Sequence, residues 1–261
     1  MTRREEMLRE MGLMPLWRLR TDRVHQAPEL ARAPAETAEA GSIAMPEARV
    51  QADARREVIM RMEWAELEET VAKCCACALH TTRTRTVFGV GDGNANWMFI
   101  GEGPGAEEDA IGEPFVGQAG RLLDNMLAAL DLGRHANVYI ANVVKCRPPG
   151  NRNPATVEAK ACEPFLQRQI DLIKPRLIVA LGRVAALNLL GREVSISSLR
   201  GRVLDYKGTP LIVTYHPAYL LRSLTEKAKA WEDLCFALKT MQGLRAGCAL
   251  PQPPSPRSGG Q

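Results

Sequence analysis

The stretch NVYIANVVKCRPP, residues 137–149, is a nearly continuous apolar run, rich in β-branched residues, that ends in a lysine, a cysteine, an arginine and two prolines. Runs of this kind are typical of strands buried on both faces of a parallel sheet. Three more occur in the chain: WMFIG (97–101), RLIVALG (176–182) and PLIVTYH (210–216). The pattern therefore predicts four buried strands.

Helical segments alternate with these strands. The predicted helices cover residues 58–71, 120–130, 156–173, 183–190 and 226–241. This alternation predicts an α/β fold in which helices cover both faces of a mostly parallel sheet. In such folds the chemistry lies at the carboxyl ends of the strands. The motifs GEGPG, NVVKCRPP and YHPA each fall where a predicted strand ends, so we expect three separate segments to meet in one crevice.

The two ends of the chain differ in composition from its middle. The stretch APELARAPAETAEAGSIAMPEA within residues 20–55 has no steady apolar period and is typical of a disordered tether. The first twenty residues are compatible with an amphipathic helix that binds a protein partner, or with a poorly ordered terminus. We therefore expect three parts: a largely disordered extension over 1–56, one folded domain over 57–243 and a disordered tail over 244–261.

The composition argues against several classes of protein. No apolar run approaches the roughly 18 residues of a membrane span, and the N-terminus MTRREEMLRE lacks the apolar stretch of a secretory signal. A net charge of +4 permits a nucleic-acid partner without requiring one. Seven cysteines in a chain without such a signal favour metal ligation in a reducing compartment over disulfides.

Four of the cysteines occupy positions typical of metal ligands. Cys74 and Cys77 form a C-x-x-C pair. Cys146 ends a predicted strand, and Cys162 lies sixteen residues further on in a predicted helix. Four thiolates suit either tetrahedral zinc or an iron–sulfur cluster, and the spacing does not choose between them. Cys146 and Cys162 could also be ordinary buried cysteines, and Cys75 could compete with Cys77 as a ligand.

These segments together resemble the family 4 uracil-DNA glycosylases, the iron–sulfur branch of the uracil-glycosylase superfamily. The resemblance rests on C-x-x-C at 74–77, GEGPGAEEDAIGEPFVGQAGRLLD at 101–124, NVVKCRPPGNRNP at 142–154, Cys162 with the PF that follows it, and HPAYLLR at 216–222. Several long motifs in the family's order are far more specific than any one of them.

The resemblance implies a three-layer αβα sandwich with a central, mostly parallel four-stranded sheet. It also implies a 4Fe-4S cluster held by Cys74, Cys77, Cys146 and Cys162. The implied activity is base excision repair: uracil is flipped out of DNA and its N-glycosidic bond is hydrolysed, which leaves an abasic site. We expect a monomer that acts on uracil-containing DNA, has no membrane partner, and lies in the cytoplasm with the nucleoid, as in prokaryotes.

A flipped base must be stacked, read at its edge and stabilised as it departs with negative charge. By resemblance, Phe115 is the stacking platform. Asn142 offers a carbonyl and an amide that can pair with N3–H and O4 of uracil, whereas cytosine presents the opposite pattern. His216, which lies just beyond a strand, is the predicted donor to uracil O2.

The first motif supplies the remaining parts of the predicted site. The resemblance selects Glu102 and Glu108 to favour the cationic sugar or to position the attacking water, and it does not separate their roles. Gly103 and Gly105 permit backbone amides to approach the base or a phosphate closely, and Pro104 stiffens the turn.

Basic residues are predicted to bind the DNA backbone. They are Lys145, Arg147 and Arg152 beside the cysteines, and Arg200, Arg202 and Arg222 elsewhere. Leu220 and Leu221 form an apolar pair that could wedge into the gap left by the flipped base, or that could pack on the core.

Other functions are left open by these patterns. A related branch of the superfamily traps uracil covalently and carries a basic, histidine-bearing insertion after the asparagine motif. The corresponding stretch here, RPPGNRNP, contains no histidine, which disfavours that chemistry. A uracil-DNA-binding protein without turnover is a second alternative. An iron–sulfur redox or regulatory module is a third, but it does not explain Phe115, Asn142 and His216 at strand ends.

Overall fold

The structure is a computed structural model that describes residues 44–192 and 194–247. Its strands are β1 (Val90–Gly91), β2 (Trp97–Gly101), β3 (Val138–Asn142), β4 (Leu177–Leu181), β5 (Leu204–Tyr206) and β6 (Thr209–Thr214). Its helices are α1 (Ala44–Ile59), α2 (Trp64–Ala72), α3 (Ala106–Ile111), α4 (Gln118–Ala128), α5 (Thr156–Ile173), α6 (Arg183–Leu190), α7 (Ile196–Leu199), α8 (Pro217–Arg222) and α9 (Lys227–Ala246).

The sheet has the strand order β1-β3-β2-β4-β6-β5. The four inner strands are parallel, and they are the four strands that the apolar runs predict. The expectation of a four-stranded sheet was wrong in its count, because β1 and β5 add an antiparallel strand at each edge. Both are too short to show an apolar period. β5 joins β6 through Lys207 and Gly208, whose φ angles of 49° and 89° permit a tight hairpin turn.

Helices pack on both faces of this sheet, which confirms the predicted three-layer αβα sandwich. Met98 and Ile100 of β2 point to one face, and their core contains residues of α1, α2, α5, α6 and α7. Trp97 and Phe99 point to the other face, where α4 and α9 contribute the core. Every residue of β2, β3 and β4 is buried, which explains why these strands are apolar throughout and do not alternate.

The N-terminal boundary of the folded part differs from the expected one. α1 begins at Ala44, within the stretch expected to be unstructured, and the helix predicted over 58–71 is divided between α1 and α2. Arg55 Nη1 donates to Ala161 O of α5 at 2.8 Å, so the end of α1 packs on the domain. The predictions for residues 1–43 and for the tail from Cys248 lie outside the described residues. In the described part of the chain, no helix is long and apolar enough to cross a membrane.

Candidate active site

A cleft of about 790 Å³ opens at the carboxyl ends of the parallel strands. The GEGPG loop after β2, the end of β3 and the segment after β6 all line it, as the topology of parallel strands requires. The cleft brings together the residues predicted to act on the base and on the water. They are Glu102, Gly103, Pro104, Gly105, Glu108, Phe115, Asn142 and His216.

Asn142 is the last residue of β3 and is 2% exposed. Its side-chain Oδ1 is buried and has no hydrogen-bond partner among the described residues. Gly101 pairs with Asn142 in the parallel register, and a Cβ at Gly101 would lie 2.5 Å from Asn142 Oδ1 and 2.5 Å from the Phe115 ring. Glycine at position 101 therefore makes room for the two side chains, and the unpaired Oδ1 marks an acceptor that a ligand can satisfy.

Phe115 is held in an unusual backbone conformation, with φ at 56°. Arg134 donates to Pro114 O at 2.8 Å and to Phe115 O at 2.7 Å, and Asp124 binds the same guanidinium at 2.7 Å. Charge-assisted bonds of this kind hold a strained turn firmly. Sequence reasoning missed Arg134, because a lone arginine in the loop before β3 carries no local pattern. A Cβ at Gly120 would meet Phe115 O at 1.8 Å, so α4 approaches this turn closely.

His216 follows β6, and its ring lies 5.5 Å from that of Phe115, measured between centroids. Its Nδ1 accepts a hydrogen bond from Ala218 N–H at 3.1 Å. In a neutral imidazole the proton is then on Nε2. Burial is the main cause that lowers the pKa of His216 to about 4; the nearby Glu108 opposes this shift and Arg222 adds to it. Near neutral pH the ring is therefore an uncharged donor through Nε2.

The two predicted carboxylates have different surroundings. Glu102 lines the cleft, and burial raises the pKa of its carboxyl above the ordinary glutamate value. Glu108 Oε2 accepts from Gly105 N at 2.9 Å, and its Oε1 accepts from Val116 N at 3.1 Å. Because both oxygens of Glu108 bind backbone amides, this carboxylate ties the GEGPG loop to the Phe115 turn. Among the described residues, no hydrogen-bond donor is bound to the Glu102 carboxylate, so its oxygens are open to a ligand or a water.

The four predicted ligand cysteines line a second, much smaller pocket. These are Cys74, Cys77, Cys146 and Cys162, and Cys75 is exposed and does not line the pocket. Within the described ranges, no three His, Cys, Asp or Glu side chains are placed to hold a single metal ion. Zinc, with Zn–S bonds of about 2.3 Å, needs sulfurs close together, whereas a four-iron cluster spaces its ligands more widely.

Nitrogen donors surround the sulfurs of this pocket. Arg83 Nη1 donates to Cys146 Sγ at 3.0 Å, and the Lys145 backbone N–H donates to Cys162 Sγ at 3.3 Å. Arg55, from α1, reaches Cys74 Sγ at 3.8 Å. Hydrogen bonds to cysteine sulfur stabilise thiolates and tune iron–sulfur clusters, so the residues present fit such a group.

Comparison with known families identifies the family to which the cleft residues belong. The family model described as the uracil-DNA glycosylase superfamily matches residues 88–235, which contain every residue of the cleft discussed above. The chain belongs to this superfamily. The resemblance deduced from the motifs is thereby confirmed.

Individual uracil-DNA glycosylases refine the assignment. A type-4 uracil-DNA glycosylase of Thermotoga maritima is 46% identical over 176 residues, which cover 67% of this chain and 89% of that protein. One of Archaeoglobus fulgidus is 45% identical over 164 residues, or 60% and 82% of the two chains. A type-5 uracil-DNA glycosylase of Pyrobaculum aerophilum is 32% identical over 149 residues, or 50% and 64%. The chain is thus more similar to these type-4 proteins than to that type-5 protein.

Two of the residues predicted to face DNA in this glycosylase are buried. The prediction for Lys145 is wrong, and Leu220 follows the alternative in which it packs on the core. Lys145 is 1% exposed, and its ammonium bonds to groups inside the protein. Leu220 is also 1% exposed, because it lies on the inner face of the short helix α8. Leu221 and Tyr219, its neighbours in the chain, are 38% and 39% exposed. If this glycosylase inserts a wedge into DNA, α8 presents Tyr219 and Leu221 for it.

The other basic residues have varied surroundings. Arg152 and Arg222 line the cleft, and Arg152 makes two hydrogen bonds to the Glu158 carboxylate, at 2.8 and 2.6 Å. Arg147 Nε donates to Asn151 Oδ1 at 2.7 Å. Arg200 Nε forms an ion pair with the buried Asp233 carboxylate at 2.7 Å, so its guanidinium is engaged within the protein. Arg202 is exposed.

Proposed function

We propose that this chain hydrolyses the N-glycosidic bond of a deoxyuridine flipped out of DNA, releasing uracil and leaving an abasic site for repair. The observation that carries the proposal is the buried, unpaired Oδ1 of Asn142 at the bottom of the cleft. A buried acceptor without a partner is costly, so a protein keeps one where a ligand uses it.

Base recognition follows from the chemistry of the Asn142 amide. Oδ1 accepts from uracil N3–H, and Nδ2 donates to uracil O4. Cytosine presents an unprotonated N3 and an amino group at these two positions, so both contacts would become repulsive. Phe115 stacks on the face of the base, and Arg134 fixes the turn that presents its ring. A misplaced Phe115 would weaken binding of the base even with Asn142 intact.

Bond cleavage separates charge between the sugar and the base. The C1′–N1 bond breaks, its electron pair passes to uracil, and negative charge gathers on O2. His216 donates its Nε2–H to that oxygen. Because the pKa of His216 is about 4, the ring is neutral near pH 7. A neutral donor in a poorly solvated site stabilises the developing anion by a hydrogen bond and keeps its proton.

The attacking water needs a base near the sugar. We assign this role to Glu102, whose carboxylate lines the cleft and whose pKa is raised by burial, which makes it a stronger base. The water oxygen bonds to C1′, and its proton passes to Glu102. Glu108 is a positioning residue in this scheme, because both its oxygens hold backbone amides of the site loops.

We further propose that Cys74, Cys77, Cys146 and Cys162 hold a 4Fe-4S cluster. Their shared pocket and the N–H donors around their sulfurs support this assignment. When bound, the cluster supplies cross-links between the segment before β1, the end of β3 and α5. The cleavage described above uses only protein side chains and water.

We propose that the catalytic unit corresponds to residues 57–243 together with the rest of α1, and that it acts as a monomer on uracil-containing DNA in the cytoplasm. We also propose that Arg147, Arg152, Leu221 and Arg222 contact DNA around the cleft, and that the extension before Ala44 is the segment available to a protein partner.

The test is an excision assay on three DNA duplexes that differ in one base only, which is uracil, cytosine or thymine. We expect abasic sites in the uracil duplex and none in the cytosine duplex, because cytosine presents the opposite pattern to the Asn142 amide. Thymine shares N3–H and O4 with uracil, so the thymine duplex measures whether the cleft accepts a 5-methyl group. Equal excision of cytosine, or no excision of any base by folded, cluster-containing protein, would contradict the proposal.

A further inference from the structure

Lys145 carries a buried ammonium group for which the proposed mechanism has no use. The residue is 1% exposed, and no carboxylate of the described residues forms an ion pair with it. Its Nζ donates to the backbone carbonyl of Asn142 at 3.1 Å and to Gln169 Oε1 at 2.6 Å. Gln169, fully buried in α5, is itself fixed because its Nε2 donates to Phe88 O at 3.0 Å.

A buried charge requires compensation, because desolvating an ammonium costs more than neutral hydrogen bonds return. The groups beside Lys145 that can carry a compensating negative charge are cysteine sulfurs, which are deprotonated when they ligate a cluster. Cys146 is the next residue, and Cys162 Sγ accepts the backbone N–H of Lys145 at 3.3 Å. Lys145 also lines the pocket that the four cysteines share. Four thiolates around a 4Fe-4S core leave a net negative charge beside this ammonium.

The same side chain reaches the base-reading residue. The Asn142 carbonyl that Lys145 binds belongs to the peptide at the end of β3, whose position fixes where the Asn142 side chain enters the cleft. Gln169 comes from α5, the helix that also carries Cys162. Lys145 therefore contacts, through one ammonium, the carboxyl end of β3 and the helix that holds a cluster ligand.

We propose that Lys145 is the counter-charge of the iron–sulfur cluster and, through the same ammonium, the anchor of Asn142, so that cluster retention and uracil recognition depend on one buried side chain. The inference rests on the proposed cluster for its first half and on the proposed uracil recognition for its second half. Lys145 is a positioning residue in this account, since it touches neither the base nor the sugar.

The test compares Lys145→Met with Lys160→Met, a control on α5 whose lysine is exposed. The first readout is the rate at which a chelator removes the visible iron–sulfur absorbance. The second is the inhibition constant of free uracil, which reports the base pocket alone. Losing hydrogen bonds from a charged donor corresponds to a change of about tenfold or more. We expect changes of that size in both readouts for Lys145→Met, and neither change for Lys160→Met.

A third variant separates the two halves of the proposal. Gln169→Met keeps the charge of Lys145 and removes one of its acceptors, so we expect wild-type cluster release with a raised inhibition constant of uracil. This variant decides the anchoring role if Lys145→Met does not accumulate as folded protein, and an unchanged inhibition constant in Gln169→Met then overturns it.

Wild-type cluster release from folded Lys145→Met would overturn the counter-charge role. The wild-type protein distinguishes failure of this inference from failure of the proposed function. If wild-type protein excises no uracil, the proposed function fails, whereas the comparison of cluster-release rates still decides whether Lys145 is the counter-charge.

Discussion

Replacing Asn142 by leucine should make the protein more stable and almost inactive. Leucine branches at the same carbon as asparagine and has no polar atom. The substitution therefore removes the buried Oδ1 that has no partner in the described structure, while leaving the backbone carbonyl that Lys145 binds. Stability and activity should thus move in opposite directions, which few substitutions in a buried site do.

Magnitudes follow from the hydrogen bonds involved. An unsatisfied buried polar atom costs about 1–3 kcal/mol, and we expect Asn142→Leu to recover about 1 kcal/mol of unfolding free energy, or about 2–4 °C in Tm. In the complex, uracil N3–H and O4 would each lose a partner. Two such losses total about 2–6 kcal/mol, which lowers the single-turnover rate by about 30-fold to 10⁴-fold.

The assays are thermal unfolding and single-turnover release of uracil from a labelled duplex. The matched control is Asn96→Leu, at the start of β2, where Asn96 Nδ2 donates to Asn137 Oδ1 at 2.6 Å. Removing that satisfied bond should lower stability and leave excision unchanged. A destabilised Asn142→Leu, or one that excises uracil at close to the wild-type rate, would refute the reasoning.

Substitutions at three further residues test other parts of the site. Because burial raises the pKa of Glu102, kcat/KM should fall with decreasing pH at pH values above the ordinary glutamate range. Glu102→Gln should be slow, and its kcat/KM should not show this fall. If the fall persists in Glu102→Gln, another residue is the base. His216→Leu should lower the single-turnover rate by about 10²-fold to 10³-fold. The wild-type rate should show no inflection near pH 6.5, because the pKa of His216 is about 4. An inflection near pH 6.5 that His216→Leu abolishes would contradict a neutral donor. Arg134→Met should raise the inhibition constant of free uracil, with Arg134→Lys in between; equal constants in all three proteins would remove Arg134 from the positioning of Phe115.

The main elements of the fold were predictable because they are buried on both faces. A strand such as β4 must be apolar at every position, and that leaves a clear signal in a single sequence. The edge strands β1 and β5, with two and three residues, leave none. The division of the first predicted helix was also missed, since apolar residues such as Ile59 and Met62 continue across the break between α1 and α2.

The location of the cleft could be predicted from the sequence, whereas many of the contacts within it could not. Parallel strands bring their carboxyl ends together, so Asn142 and His216 could be expected to meet. Burial of individual residues could not be read in the same way. Lysine is a residue type that commonly contacts phosphate, and yet Lys145 is buried in the protein, because its long side chain reaches Gln169 of α5. Arg134 was missed since it holds the Phe115 turn through two backbone carbonyls, which have no sequence signature.

The most direct test of the central claim is uracil release under multiple turnover. Purified chain is mixed with an excess of duplex containing one uracil, and free uracil is counted per protein molecule. The account predicts many molecules of uracil per protein, each matched by an abasic site. Release of none, or retention of DNA in a one-to-one complex without free uracil, would show a binding or trapping protein and contradict the account.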